Sequence, residues 1–175
     1  SGGRVPYIKT VRSLWKLIPA YKEEKRVPGT LDAVLRFVKS RDWDEVEVRV
    51  VDDGSRDGTA ELVRRYSKDH SEVRLLENPG NRGKGYSVRH GMLEAKSDWR
   101  LFTDADLSAP IEELPKLFET AERERAAIVI GSRALDRSLI GVHQSAFREM
   151  AGRFFNLLVQ LGTGLRLWDT QCGFK

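Results

Sequence analysis

Hydrophobic and polar positions along this chain switch repeatedly between a period of two and a period near 3.6. "SLWKLIPAY" (13–21) is largely apolar and predicts a first strand. From Gly29 to Ser40, Leu31, Val34, Leu35 and Val38 recur at helical spacing on one face. "VEVRVVDD" (46–53) first alternates and then turns fully apolar, as in a strand with both faces buried. "GSRDGTAELVRRYSKD" supplies a turn, a helix cap at Asp57 or Thr59, and a helix with Leu62, Val63 and Tyr66 inward. "VRLLEN" (73–78) predicts a third strand, "KGYSVRHGMLEA" (84–95) a third helix and "WRLFTDAD" (99–106) a fourth strand. A helix through Ile111, Leu114, Leu117, Phe118 and Ala121 follows, with Pro115 near its start, where proline is tolerated. "AAIVIGSR" (126–133) predicts a fifth strand, and 145–161 a long apolar helix.

Alternation of strands and helices implies parallel strands joined by crossover helices, hence an α/β domain. Ligands of such sheets bind outside the carboxyl ends of the strands. The strands here end in "PAYKEE", "DDGS", "DAD" and "GSR", so the unusual polar residues fall on one rim.

Composition narrows the chemistry. The chain has 175 residues, 40% hydrophobic and 32% charged, which fits one globular domain over 1–175. A net charge of +4 suits anionic ligands, but no basic stripe interleaved with aromatics points to nucleic acid. Cys172 is the single cysteine, which excludes an intrachain disulfide and a multi-cysteine zinc site. No apolar run approaches the ~20 residues that span a bilayer. The chain opens "SGG" and stops at "DTQCGFK" inside an element, so the expectation is a catalytic domain truncated at its C-terminus.

Each rim motif has a plain reading beside a functional one. Asp52 and Asp53 begin a tight turn in "DDGSRDG", or one carboxylate accepts ligand hydrogen bonds, as acidic residues at strand ends do for ribose. "NPGNRGKG" (78–85) is a flexible turn, or a close-approach loop whose Lys84 meets an anion at a helix N-terminus. Asp104 and Asp106, set on one side of an extended chain, are solvated charges, an acid/base pair or a hard-metal site. The metal reading is favoured, because a divalent cation offsets their repulsion and substrate phosphates complete its shell. Arg133, Arg148 and Arg153 are surface charges or phosphate contacts. His70, His90 and His143 show no triad or zinc spacing.

Taken in order, "IPAYKEE", "VVDDGSRDGT", "NRGKGYSVRHGM", "FTDADLSAPIEELPKL", "VIGSR" and "DTQCGFK" resemble the inverting, GT-A-fold family 2 glycosyltransferases over roughly 18–175. The set is most similar to the polyprenyl-phosphate sugar synthases, in particular the dolichyl-phosphate glucosyltransferase branch. The resemblance implies a Rossmann-like, mainly parallel sheet flanked by helices. It implies that Pro19, Ala20, Tyr21 and Glu23, with Val51, Asp53 and Lys84, bind a nucleotide sugar, UDP-glucose being favoured. Asp104, Ala105 and Asp106 would form the DXD motif, with Asp106 the principal ligand of Mg2+ or Mn2+, Asp104 serving the ribose or supporting the metal, and Ser108 another polar ligand. Arg133 and Arg148 would face a dolichyl or polyprenyl phosphate acceptor, joined by Thr170, Gln171 and Lys175. Asp106, Arg133 and Arg148 are the catalytic candidates. The same resemblance implies work at the cytoplasmic face of a membrane, of the endoplasmic reticulum or of a bacterial or archaeal cell.

The chain departs from that family at three points: Lys22 stands where members usually have Asn, Trp15 and Lys16 interrupt a strand that is normally aliphatic, and Gly152 stands where the mannosyl relatives often carry a serine toward the acceptor phosphate. Rival expectations are a GDP-mannose-dependent synthase, a nucleotidyltransferase, and a donor-binding fragment without activity.

Overall fold

A computed structural model of the chain describes residues 13–107, 109–131 and 173–175. Four parallel strands form one sheet in the order β3-β2-β1-β4: β1 Ser13–Ala20, β2 Glu45–Asp52, β3 Val73–Glu77 and β4 Trp99–Phe102. Helices α1 Val27–Lys39, α2 Thr59–Asp69, α3 Lys84–Glu94 and α4 Leu114–Glu124 follow the strands in turn, with a 3-10 turn at Ile111–Glu113 leading into α4. The order places successive strands to one side of β1 and then jumps to β4 on the other. Such a reversal opens a crevice at the strands' carboxyl ends, here between β1 and β4.

The main core lies on one face, where Leu14, Ile18, Val48, Val50 and Val73 meet Leu31, Val34 and Val38 of α1, Val63 of α2, and Ile111, Leu114 and Phe118. On the opposite face α3 covers Leu17, Val51 and Phe102 with Val88 and Met92. Gly91 makes that contact close: a Cβ there would overlap Leu17 Cδ1 and stand 3.0 Å from Val51 Cγ2. Tyr66 of α2 ties to α1 by donating its hydroxyl to Asp32 at 2.9 Å.

β1 forms in full register despite its two interrupting residues. Trp15 and Lys16 are both buried, and Lys16 takes a core position between Val48 and Leu101 on the neighbouring strands. Pro28 sits in the first turn of α1, where its missing N–H costs nothing. Asp57 Oδ1 accepts the Thr59 N–H at 3.2 Å, so Asp57 closes the start of α2 from the residue before the cap.

The structure corrects the sequence expectation in two places. No fifth strand forms over the described part of 126–133: residues 126–131 are irregular, and Ile128 is 77% exposed. The reason is competition for the edge of β4. Phe102 exchanges backbone hydrogen bonds with Lys175, at 2.8 and 3.1 Å, and Thr103 bridges Phe174 in antiparallel sense. Residues 173–175 thus hold the edge, and Gly131 instead donates to the Phe174 carbonyl at 2.8 Å.

The second correction concerns the aspartates. β4 ends at Phe102, so Asp104 and Asp106 do not share one side of an extended strand. The chain turns instead, with the Leu107 N–H bonding the Asp104 carbonyl at 3.2 Å and Leu107 at φ 47°. The predicted helix at 145–161 lies outside the described residues.

Candidate donor and metal site

The crevice at the strand switch is a cavity of about 260 Å³. Its wall includes Pro19, Ala20, Tyr21 and Glu23 after β1, Asp53 after β2, Lys84 at the start of α3, and Asp104, Ala105 and Asp106 after β4. Nine of the ten residues expected to meet a nucleotide sugar therefore line one space. Val51 is the exception, buried against α3. Ser108, Arg133, Arg148, Thr170 and Gln171 lie outside the described residues. Of the expected acceptor group only Lys175 is described, and its backbone pairs with Phe102.

The loop after β1 is clamped onto the loop after β2. Lys22 N–H donates to Ser55 Oγ at 2.9 Å, Glu23 N–H to Thr59 Oγ1 at 3.0 Å, and Gly58 N–H to Glu24 Oε2 at 2.8 Å. Thr59 donates its own hydroxyl hydrogen bond to Asp57 Oδ1 at 2.6 Å, and Asp52 Oδ2 accepts the Ser55 N–H at 3.0 Å. The two neighbouring aspartates thus have different jobs. Asp52 shapes the turn, and Asp53 reaches the cavity wall.

Asp53 on that wall is held by three hydrogen bonds among the described residues. Its Oδ1 accepts the Asn78 amide at 2.7 Å and the Arg82 N–H at 2.9 Å; its Oδ2 accepts the Gly83 N–H at 2.7 Å. Burial is the largest influence on its pKa and pushes it up. The donors from Arg82, Asn78, Gly83 and Ser87 outweigh that, so the carboxyl lies below its ordinary value. A carboxylate has about four acceptor positions. With Oδ1 filled and Oδ2 half filled, Asp53 keeps at most one for a ligand. Asn78 is itself oriented from behind, accepting His90 Nδ1–H on its Oδ1 at 2.8 Å and donating to Ser87 Oγ at 2.9 Å.

Across the cavity, Lys84 Nζ lies 2.6 Å from Asp104 Oδ1 and 5.5 Å from the Phe102 ring centre. The Asp104 N–H donates to the Gly173 carbonyl at 3.1 Å, and Thr30 of α1 donates its hydroxyl to the Ala105 carbonyl. Asp104 is half-buried and Asp106 exposed. Among the described residues no cluster of three or more His, Cys, Asp or Glu is positioned for a metal. Two hard carboxylate ligands completed by phosphate oxygens are the donor set Mg2+ or Mn2+ accepts, and the Lys84 ammonium shows that the site attracts a cation. The residues therefore fit a divalent ion.

Sequence reasoning missed Arg26, Ser87, Asn78 and His90, and placed Gly173 only within the segment expected on the acceptor side. Arg26 and Ser87 line the cavity, and Ser87 is legible in hindsight as one helical turn after Lys84. Arg26 pairs with both Glu23 oxygens at 3.1 and 3.2 Å. Gly173 comes beside Asp104 from far along the chain, and no local pattern announces that.

The sequence pattern described as Glycosyl transferase family 2 matches residues 17–168. A dolichyl-phosphate beta-glucosyltransferase of Drosophila melanogaster is 41% identical over 172 residues, spanning 91% of this chain and 52% of that protein. One from Trichomonas vaginalis is 34% identical over 167 residues, spanning 91% and 51%. The chain spans about half the length of the curated relatives it matches. Among solved structures, a mannosyltransferase from Pyrobaculum calidifontis in complex with GDP-Man and Mn2+ superposes with a TM-score of 0.51 and 27% identity, covering 67% of this chain and 33% of its own.

Proposed function

Taking as premise that the chain belongs to glycosyl transferase family 2 and has the GT-A fold, we propose that it is the donor-binding part of a glucosyltransferase. It would move glucose from UDP-glucose to a dolichyl or polyprenyl phosphate, with inversion to a beta linkage. The names of the curated relatives support the sugar and the acceptor.

The observation that carries the choice of UDP is the state of Asp53. An ionised carboxylate accepts hydrogen bonds and donates none. Uracil offers it one imide N–H, and Asp53 keeps at most one acceptor position. Guanine offers two adjacent N–H donors that need both oxygens, and Asn78 and Arg82 already fill Oδ1. A second reading, GDP-mannose, draws on the Pyrobaculum mannosyltransferase with its GDP-Man.

In this reading Pro19, Ala20, Tyr21 and Glu23 hold base and ribose beside Asp53. Asp106 and Asp104, with Ser108, hold Mg2+ or Mn2+, which when bound supplies Lewis-acid stabilisation of the departing diphosphate. Lys84 contributes a second cation to that diphosphate. A phosphate acceptor is already an anionic nucleophile, so the protein needs no strong general base. Its work is to bring two anions together, which Arg133 and Arg148 serve with Thr170, Gln171 and Lys175. The reaction would take place at the cytoplasmic face of a membrane. Among the described residues no helix is long and apolar enough to cross one.

Incubating the protein with labelled UDP-glucose, Mn2+ and a short dolichyl phosphate in detergent tests the proposal. A beta-linked, lipid-extractable glucosyl phosphate is expected. Transfer from GDP-mannose alone would replace it with the second reading.

A further inference from the structure

Gly173 stands against the Asp104 carboxylate with no room to spare. A Cβ on Gly173 would overlap Asp104 Oδ2 and Cγ and lie 2.8 Å from Oδ1. The need is spatial: the atoms a Cβ would meet are those of the Asp104 side chain. The contact is also well anchored. Asp104 N–H bonds the Gly173 carbonyl at 3.1 Å, Phe174 is 2% exposed in the main core, and Lys175 pairs with Phe102 on both backbone groups. Lys84 holds the other side of the carboxylate at 2.6 Å.

We infer that Gly173 is a positioning residue for the donor metal site: its bare Cα leaves the Asp104 carboxylate the space it needs to face the metal and diphosphate once the diphosphate has drawn Lys84 away. This rests on the metal role proposed above for Asp104 and Asp106. It also gives "DTQCGFK" a donor-side task, whereas the family resemblance implies only an acceptor-side one. A methyl group at 173 has one way out, which is to push the carboxylate aside. The backbone of residues 173–175 is held by its pairing with 102–104.

The test is Mn2+ titration of the UDP-bound protein by electron paramagnetic resonance, on wild type, Gly173→Ala, Asp104→Ala and the double variant. Gly173→Ala is expected to weaken Mn2+ binding by about 10–100-fold, the range for partners that orient a metal ligand. In the Asp104→Ala background it should add nothing, since the group it displaces is gone. Unchanged Mn2+ affinity in Gly173→Ala, or losses that add in the double variant, would overturn the inference. Should Gly173→Ala fail to fold, the double variant, with space for the methyl, should fold like Asp104→Ala; its failure would equally overturn it. Absence of Mn2+ binding by wild type with UDP would instead remove the functional reading itself, and this inference with it.

Discussion

Lys84 Nζ lies 2.6 Å from Asp104 Oδ1, so a protein cation sits on one of the two carboxylates that face the proposed metal. Lysine and metal then compete for Asp104 until a diphosphate arrives to draw the ammonium away. Lys84→Met should tighten Mn2+ binding in the absence of nucleotide by about two- to fivefold, the scale of a largely exposed ion pair. It should weaken UDP binding, because a phosphate loses its cation. Titrating Mn2+ and UDP separately checks both signs.

Asn78 is the residue that fills Asp53 Oδ1 from within the protein. Asn78→Ala releases one acceptor position there and gives guanine's paired donors somewhere to bind. The preference for UDP over GDP should narrow, while stability falls by roughly 1–3 kcal/mol for the lost buried hydrogen bonds. Calorimetric titration with both nucleotides, alongside denaturant unfolding, separates the two effects.

Much of this was legible in advance. Helices α1, α2 and α4 announced themselves by apolar spacing and β2 by its alternation, the remaining elements by their turn in the strand–helix sequence, and the rim motifs by their place at strand ends. Lys16 did not prevent β1, because its neighbours Leu14, Leu17 and Ile18 are all buried and set the strand's place in the sheet. The missing fifth strand was illegible for a physical reason. "AAIVI" has strand character, but Phe102 had already given its free edge to Lys175, a pairing between residues far apart in sequence. The turn at 104–107 and the Gly173 contact share that cause. His90 looked ordinary because its importance lies in Asn78, and through it in Asp53.

Lys16 itself has a measurable cost. Its side chain is fully buried, and its Nζ has no hydrogen-bond partner among the described residues. Burial pushes its pKa from 10.5 down to about 7, with Glu112 pulling the other way. From pH 7 up to 10.5 the unfolded chain therefore binds more protons than the folded one, so this group's contribution to stability rises with pH across that window. It is complete only above the unfolded value and is lost as the pH falls through about 7. Lys16→Met should stabilise the fold by roughly 1–3 kcal/mol at pH 6, with the gain shrinking toward pH 10. Urea unfolding of both proteins at several pH values checks this.

Lys22 adopts φ 57°, a left-handed conformation that a lysine side chain disfavours and asparagine tolerates. Lys22→Asn, the residue usual in the resembled family, should raise stability by roughly 0.5–1 kcal/mol. The Lys22 N–H to Ser55 bond is a backbone donor and survives the change. Thermal unfolding is the readout.

Thermal shift with UDP and GDP, each with and without Mn2+, on wild type and Asp106→Ala tests the central claim most directly. A ligand that binds only the folded state raises the unfolding temperature in proportion to its affinity. The account predicts that UDP with Mn2+ stabilises wild type most, and that Asp106→Ala loses the Mn2+-dependent part alone. Stabilisation by GDP but not UDP, or an Asp106→Ala protein that keeps its Mn2+-dependent shift, would contradict it.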